Sequence, residues 1–328
     1  MGTPLEIAKV LVSPVEKLID SVKNAIGITY EPRHIRKMAD AKAYEINIIG
    51  NALRDNSDMI LSYKDGVVTE STPEFEDLLK RTEYRRQCQE LKKQCNMEAV
   101  ISNAYAELKD ETAVADKSVD IDWISRLFNI VEDIGNEEMQ YIWGKILAGE
   151  IKNPGKFSLR TLDTIRNISQ EEAKIFQKIL PFIIQHSDKL FVFSDSELMD
   201  KHHIEYQSIL SLSECGLINN NPFLGLNVTF SDIGTVFIDN NDLCMKIQHK
   251  QNTVPQLHFN IYALTTAGKE LYSILNYKSN NDYFIDLAES MIINSKNISL
   301  ITIHKIKYEE QKKIYYIDDE IIKTFGEI

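Results

Sequence analysis

Between Ser13 and Gly27 apolar residues return at Val15, Leu18, Ile19, Val22, Ala25 and Ile26, with Glu16, Lys17, Asp20 and Lys23 between them. That spacing forms one stripe at the helical period. Both ends are marked. Ser13 with Glu16 fits a capping box, Pro14 suits the first helical position, and Gly27 suits the stop. Leu5, Ala8, Leu11 and Val12 carry nearly a seven-residue rhythm back across the Ser13-Pro14 junction. A second helix is predicted from near Pro32 to about Leu53, through Ile35, Met38, Ala39, Ala43, Ile46 and Ile49. SYKDG at 62–66 reads as a turn. Residues 1–65 are therefore expected to form an amphipathic helical arm.

The pattern weakens from 73 to 116. Thr72-Pro73-Glu74 opens a stretch with almost no helix breakers, highly charged and striped only through Cys88, Leu91, Cys95, Ala99, Ser102 and Tyr105. A long, mostly exposed, coiled-coil-like helix with a poor seam is expected. VADKSVD at 114–120 reads as a linker. Residues 121–187 then regain strong periodicity as a helical module. Trp123, Leu127, Ile130, Val131 and Ile134 line one helix; Met139, Ile142, Trp143, Ile146 and Leu147 line the next, with Asn136 as its cap. NPGKF is a turn, SLRTLDTIRNI a third helix, and Ser169 with Glu172 a second capping box.

From 188 to 328 the period changes. Asp195–His202 and Glu205–Cys215 read as short helices. GLNVTF, TVFID, CMKIQH and QLHFNIYAL read as strands, LTTAGKELYSIL as helix, and ISLITIHKI and KIYYIDDEII as strands around a charged turn. A helix ending in a Gly-Leu-Ile turn, then strands, then Leu-Thr-x-x-Gly-x-x-Leu resembles a winged-helix domain over roughly 170–277. The fold class expected is mainly α with a smaller α/β part: helical arm, long helix, helical module and C-terminal winged-helix-like domain.

Composition narrows the function classes. The formal charge of -12 argues against broad nucleic-acid binding. No run of about 18 apolar residues exists to span a bilayer. Cys88, Cys95, Cys215 and Cys244 contain no C-x-x-C pair, and the first 27 residues lack a cationic leader. A reduced cytoplasmic protein is expected, with peripheral placement at the inner membrane face as its alternative setting.

Chemistry-bearing motifs are few. No Walker loop, G-x-G-x-x-G, G-x-S-x-G or H-E-x-x-H occurs. His202 and His203 are adjacent, so on a helix they point about 100° apart and chelate one ion poorly. Neither Cys215 nor Cys244 stands at zinc spacing from them. No metal, cofactor or catalytic residue is assigned. Paired carboxylates such as Glu171/Glu172 fit helix N-termini or exposed faces. Two surfaces remain. The stripe Val15, Leu18, Ile19, Val22 and Ile26, followed by Arg33, Arg36 and Lys37, is the arrangement that attracts anionic lipid or phosphate; packing against the second helix or a second copy of the chain is its alternative. Lys201, His202 and Tyr206 are the candidate partner or DNA contacts, although 205–215 contains no Lys or Arg.

The run DWISRLFNIVEDIGNEEMQYIWGKILAGEIKNPGKFSLRTLDTIRNISQEEAKIF resembles a bacterial domain-of-unknown-function family, number 2806, as does YEPRHIRKMADAKA. That resemblance implies no chemistry. The TPLEIAK-like start resembles abortive-infection proteins of phage defence. The function expected is a non-enzymatic phage-defence protein. It would sense a partner protein, a phage-encoded trigger, through its C-terminal part, and self-assemble as a homo-oligomer or engage membrane through its N-terminal helices. The alternatives are a winged-helix transcription regulator and an enzyme with an unrecognised site.

Overall fold

The computed structural model describes residues 11–31, 61–64, 67–70, 78–221, 225–230, 234–309 and 313–326. The chain divides into two compact units, Met1–Leu162 and Asp163–Ile328. The division falls inside the stretch read from sequence as one helical module.

Unit 1 opens with β1 (Leu11–Val12), α1 (Pro14–Ile26), and a hairpin of β2 (Leu61–Lys64) and β3 (Val67–Glu70). The long α2 (Leu78–Leu108), β4 (Val114–Ala115), α3 (Ile121–Val131) and α4 (Glu137–Lys152) follow, and α5 (Leu159–Arg166) carries the chain across the division. β4 lies in the stretch read as a linker and pairs antiparallel with β1.

At the ends of α1 the stop and one half of the capping box are realised. The Ser13 hydroxyl accepts the Glu16 amide at 3.4 Å, Pro14 occupies the first turn, and Gly27 closes the helix at φ 74°, in the region that favours glycine. The centre of the stripe, however, is spent inside the same chain. α1 packs on α3, α4 and α2, leaving Leu18 0% and Val22 1% exposed. Val15, Ile19 and Ile26 are half-buried. Even Lys17 turns partly inward: burial lowers its ammonium below the usual lysine range, against the pull of Asp116 and Glu150. This corrects the reading of an open face for lipid or a second copy. An amphipathic stripe specifies burial, and the core of unit 1 provides it.

α2 is likewise not a mostly exposed coiled coil. Its first half is exposed around 85–90. From Asn96 onward Val100, Ile101, Ala104, Tyr105 and Leu108 are core. α2 and α4 approach closely at Gly144, where a Cβ would meet the Asn103 Cβ at 2.4 Å. Two buried amides between these helices are hydrogen-bonded. Asn96 donates to the Glu132 carbonyl, and Gln140 donates to Asn96 and to the Ile134 carbonyl. Trp123 and Trp143 are core residues of this unit. The NPGKF turn is clamped by buried Glu150, whose carboxylate accepts the amides of Gly155 and Phe157.

Unit 2 continues with α6 (Gln170–Ile179), whose Ser169/Glu172 capping box is complete, and a 3-10 turn at Leu180–Phe182. Then come β5 (Ile184–His186), β6 (Lys189–Phe193), α7 (Ser196–Lys201), α8 (Tyr206–Glu214), β7 (Ile218–Asn219), β8 (Gly225–Thr229), β9 (Thr235–Asp239), β10 (Leu243–His249), β11 (Gln256–Leu264), α9 (Thr266–Tyr272), α10 (Asn281–Asn294), β12 (Ile298–Glu309) and β13 (Lys313–Gly326). Among the described residues the sheet has nine strands in the order β13-β12-β10-β9-β5-β6-β11-β7, with β8 paired to β11, all antiparallel. The chain is thus a mixed α/β protein. Its strands β9, β11 and β12 begin where the alternation predicted, while β5, β6 and α10 are elements the sequence reading passed over.

Candidate functional site

The Leu-Thr-x-x-Gly segment fixes the frame around α8. The Thr265 hydroxyl donates to the Gly216 carbonyl at 2.6 Å and accepts the Gly268 amide at 3.1 Å, while the Thr265 amide donates to the Leu217 carbonyl. Gly268 is required because a Cβ there would meet the Leu217 oxygen at 2.2 Å. The start of α9 is thereby locked against the turn that ends α8. Ile209 and Leu212 turn the inner face of α8 into the core.

α7 is held onto α10 at both ends. At its start, Asp195 accepts the Leu198 amide with one carboxylate oxygen and the Ser290 hydroxyl with the other. At its end, Lys201 Nζ lies 2.9 Å and His202 Nε2 2.8 Å from the same oxygen of Asp286. Residues 286 and 290 are one helical turn apart, so a single edge of α10 takes both. Burial alone would raise the Asp286 carboxyl, but the hydrogen bonds and charges of Lys201 and His202 outweigh it and hold it below the usual carboxylate range. The His202 ring stands edge-on to Tyr283 at 5.3 Å and near Phe182 at 6.3 Å.

Of the three candidate contact residues, two therefore serve this internal tie. That is the physical correction to reading His202 as an open contact for a partner or DNA; the Lys201 side chain stays 59% exposed beside its ion pair. Tyr206 differs: it is 53% exposed, with its ring 6.3 Å from Tyr262 on β11. Asp286 and Tyr262 were missed from sequence because they lie 84 and 56 positions away from His202 and Tyr206. No local spacing links such pairs. Arg33, Arg36 and Lys37 lie outside the described residues.

A second polar cluster lies around the β9–β10 turn. Asp239, Cys244 and His304 are direct cross-strand partners and share one face of the sheet. His304 bonds Thr302 at 2.8 Å, and Asn241 donates to Tyr272 at 2.9 Å and to Tyr277. Burial pushes the Cys244 thiol up to about 12, with Asp239 adding to it, and burial also raises the Asp239, Tyr272 and Tyr277 groups. A thiol so far above neutrality is a poor nucleophile. Hydrogen bonds of the 240–243 turn and of Ser279 to the Asn240 carbonyl mark the cluster as a fold-stabilising one. Among the described residues no three His, Cys, Asp or Glu side chains are grouped to hold a metal ion, and no helix is long and apolar enough to cross a membrane.

With this geometry in hand, the relationships are simple. The chain belongs to the family described as Protein of unknown function (DUF2806), whose model matches residues 80–288. The match contains the whole 122–176 run and continues through α7, α8, β11 and the first half of α10. The YEPRHIRKMADAKA stretch falls outside it. No curated protein and no solved structure matches the chain.

Proposed function

We propose that this is a non-enzymatic recognition protein whose unit 2 is a winged-helix-like module that contacts another protein through the outer face of α8. The order of neighbours β6-β11-β7, following α6 and enclosing α7 and α8, supports the winged-helix-like reading. The observation that carries the function is the state of α8. Its exposed side offers Tyr206 and no Lys or Arg, and of the two basic residues that precede it His202 is enclosed against Asp286 while Lys201 pairs with the same carboxylate from the surface. A helix that reads DNA needs base- or phosphate-contacting groups, which Lys and Arg chiefly supply. A partly exposed tyrosine pair is instead typical of protein contacts.

The setting proposed is phage defence of the abortive-infection type, with a phage-encoded protein as trigger. Its support is the TPLEIAK-like start, together with the lack of a recognised catalytic motif. The test is phage plating on cells producing the wild type or Tyr206→Asp at equal protein levels. Reduced plating that is lost in Tyr206→Asp supports the reading. Equal plating with and without the protein across a broad phage panel removes the defence setting. Tight, salt-dependent binding of a 20-bp duplex that requires Tyr206 replaces it with the transcription-regulator alternative.

A further inference from the structure

The α8 face also constrains the chemistry of what it binds. Tyr206, Leu210 and Glu214 stand at i, i+4 and i+8, a ridge on the side opposite the buried Ile209 and Leu212, with Gln207 and Ser211 beside it. Glu205 begins the helix, yet its side chain makes no capping bond. Both carboxylates, Glu205 and Glu214, are exposed. Among the described residues neither forms an ion pair. Around the C-terminal end of α8 the local field is negative. Burial pushes the Cys215 thiol up to about 11, and the charges of Glu172 and Glu214 add to it. Segment 205–215 thus carries carboxylates at both ends, an exposed aromatic ring between them, and no Lys or Arg.

We propose that the outer face of α8, bordered by Tyr262, docks a basic protein segment. An Arg or Lys would lie over the Tyr206 ring, and a further cation would meet Glu214 on the same ridge, with Glu205 adding to the negative charge of the segment. A cation over an aromatic face and a carboxylate opposite a guanidinium are the two contacts this face offers. Eight positions of helix separate Tyr206 from Glu214 along the ridge, about 12 Å, whereas Glu205 lies half a revolution round the helix from Glu214. An extended segment spans that length in about four residues. The best-fitting ligand is therefore an extended stretch with cations four positions apart. This rests on the reading of α8 as a protein-contact face.

The experiment measures binding of fluorescent Arg-Gly-Gly-Gly-Arg-Gly and hexa-glutamate peptides to the full chain by anisotropy at low and moderate salt. The arginine peptide binds and weakens with salt, and the glutamate peptide does not bind. Tyr206→Ala weakens binding about 2- to 5-fold, in line with an exposed cation–π contact. Tyr206→Ala/Glu205→Gln/Glu214→Gln together weaken it about tenfold or more. Tyr141→Ala and Glu137→Gln, exposed substitutions in unit 1, leave it within twofold. All five positions are at the surface, so the fold is kept, and circular dichroism checks this. A triple variant that binds like the wild type overturns the proposal, as does an equal loss in the unit 1 controls. If Tyr206 governs phage plating but not peptide binding, the cationic ligand is wrong and the recognition face stands.

Discussion

Leu18→Ala tests whether α1 belongs to the core. The side chain is 0% exposed and faces helices of its own unit. Truncation removes three carbons, worth about 0.8 kcal/mol each in transfer, or about 2.4 kcal/mol. The cavity adds a further term, which brings the expected loss to about 3–4 kcal/mol. The assay can isolate unit 1, because both tryptophans of the chain, Trp123 and Trp143, lie in it. With a urea slope of about 1–3 kcal/mol per molar, the tryptophan-fluorescence midpoint should fall by about 1–4 M. Asp20→Ala, on the exposed side of α1, should move it by a small fraction of that. An unchanged tryptophan transition in Leu18→Ala, accompanied by lost vesicle binding or a lower mass in solution, would refute the docked helix. Deleting the first 30 residues is not an equivalent test, because it removes a core helix and unfolds what it is meant to probe.

Three further outcomes follow from the geometry. Gly144→Ala should destabilise unit 1 by about 1–3 kcal/mol in the same assay, since the new methyl meets the Asn103 Cβ and the Ala104 amide across the α2–α4 contact. Asp286→Asn should lower the stability of unit 2 by about 1 kcal/mol at pH 7, a value discounted for the exposure of Lys201. Because the Asp286 carboxyl is held below its unfolded value near 3.9, its contribution is full above that value and fades as pH falls through the lower folded one. Thermal unfolding of wild type and variant by circular dichroism should therefore converge toward pH 3. Cys244, 4% exposed with its thiol pushed up to about 12, should resist iodoacetamide at pH 8 in the folded chain and react on unfolding, whereas half-exposed Cys88 reacts in both states. Mass spectrometry of the labelled peptides reads this directly.

Local rules carried far in this chain. Ser13, Asn136 and Ser169 each accept the amide three residues on, as their types and spacings imply. TVFID and QLHFNIYAL are strands β9 and β11 residue for residue. The Leu-Thr-x-x-Gly segment works as a cap because Thr265 and Gly268 do their work within four residues of each other. Even α10, passed over among β-branched neighbours, bears a readable mark: Asn280 caps it, and Tyr283, Phe284, Leu287, Ala288 and Met291 repeat at helical spacing.

Tertiary structure decided what these elements face. Periodicity makes α1 two-sided but does not say what covers its apolar side; the packing of α2, α3 and α4 does, since those helices bury the same stripe that would otherwise suit lipid or a second copy. His202 looks available in sequence and is not, because Asp286 arrives from a helix more than 80 positions later, while Lys201 meets the same carboxylate and stays exposed. Tyr206 keeps its exposure because, among the described residues, no such partner reaches it beyond Tyr262. Hydrogen-bond capping and alternation act over a few residues and are written in the chain. Exposure and ion pairing depend on which distant segments meet, and that is set only when the core closes.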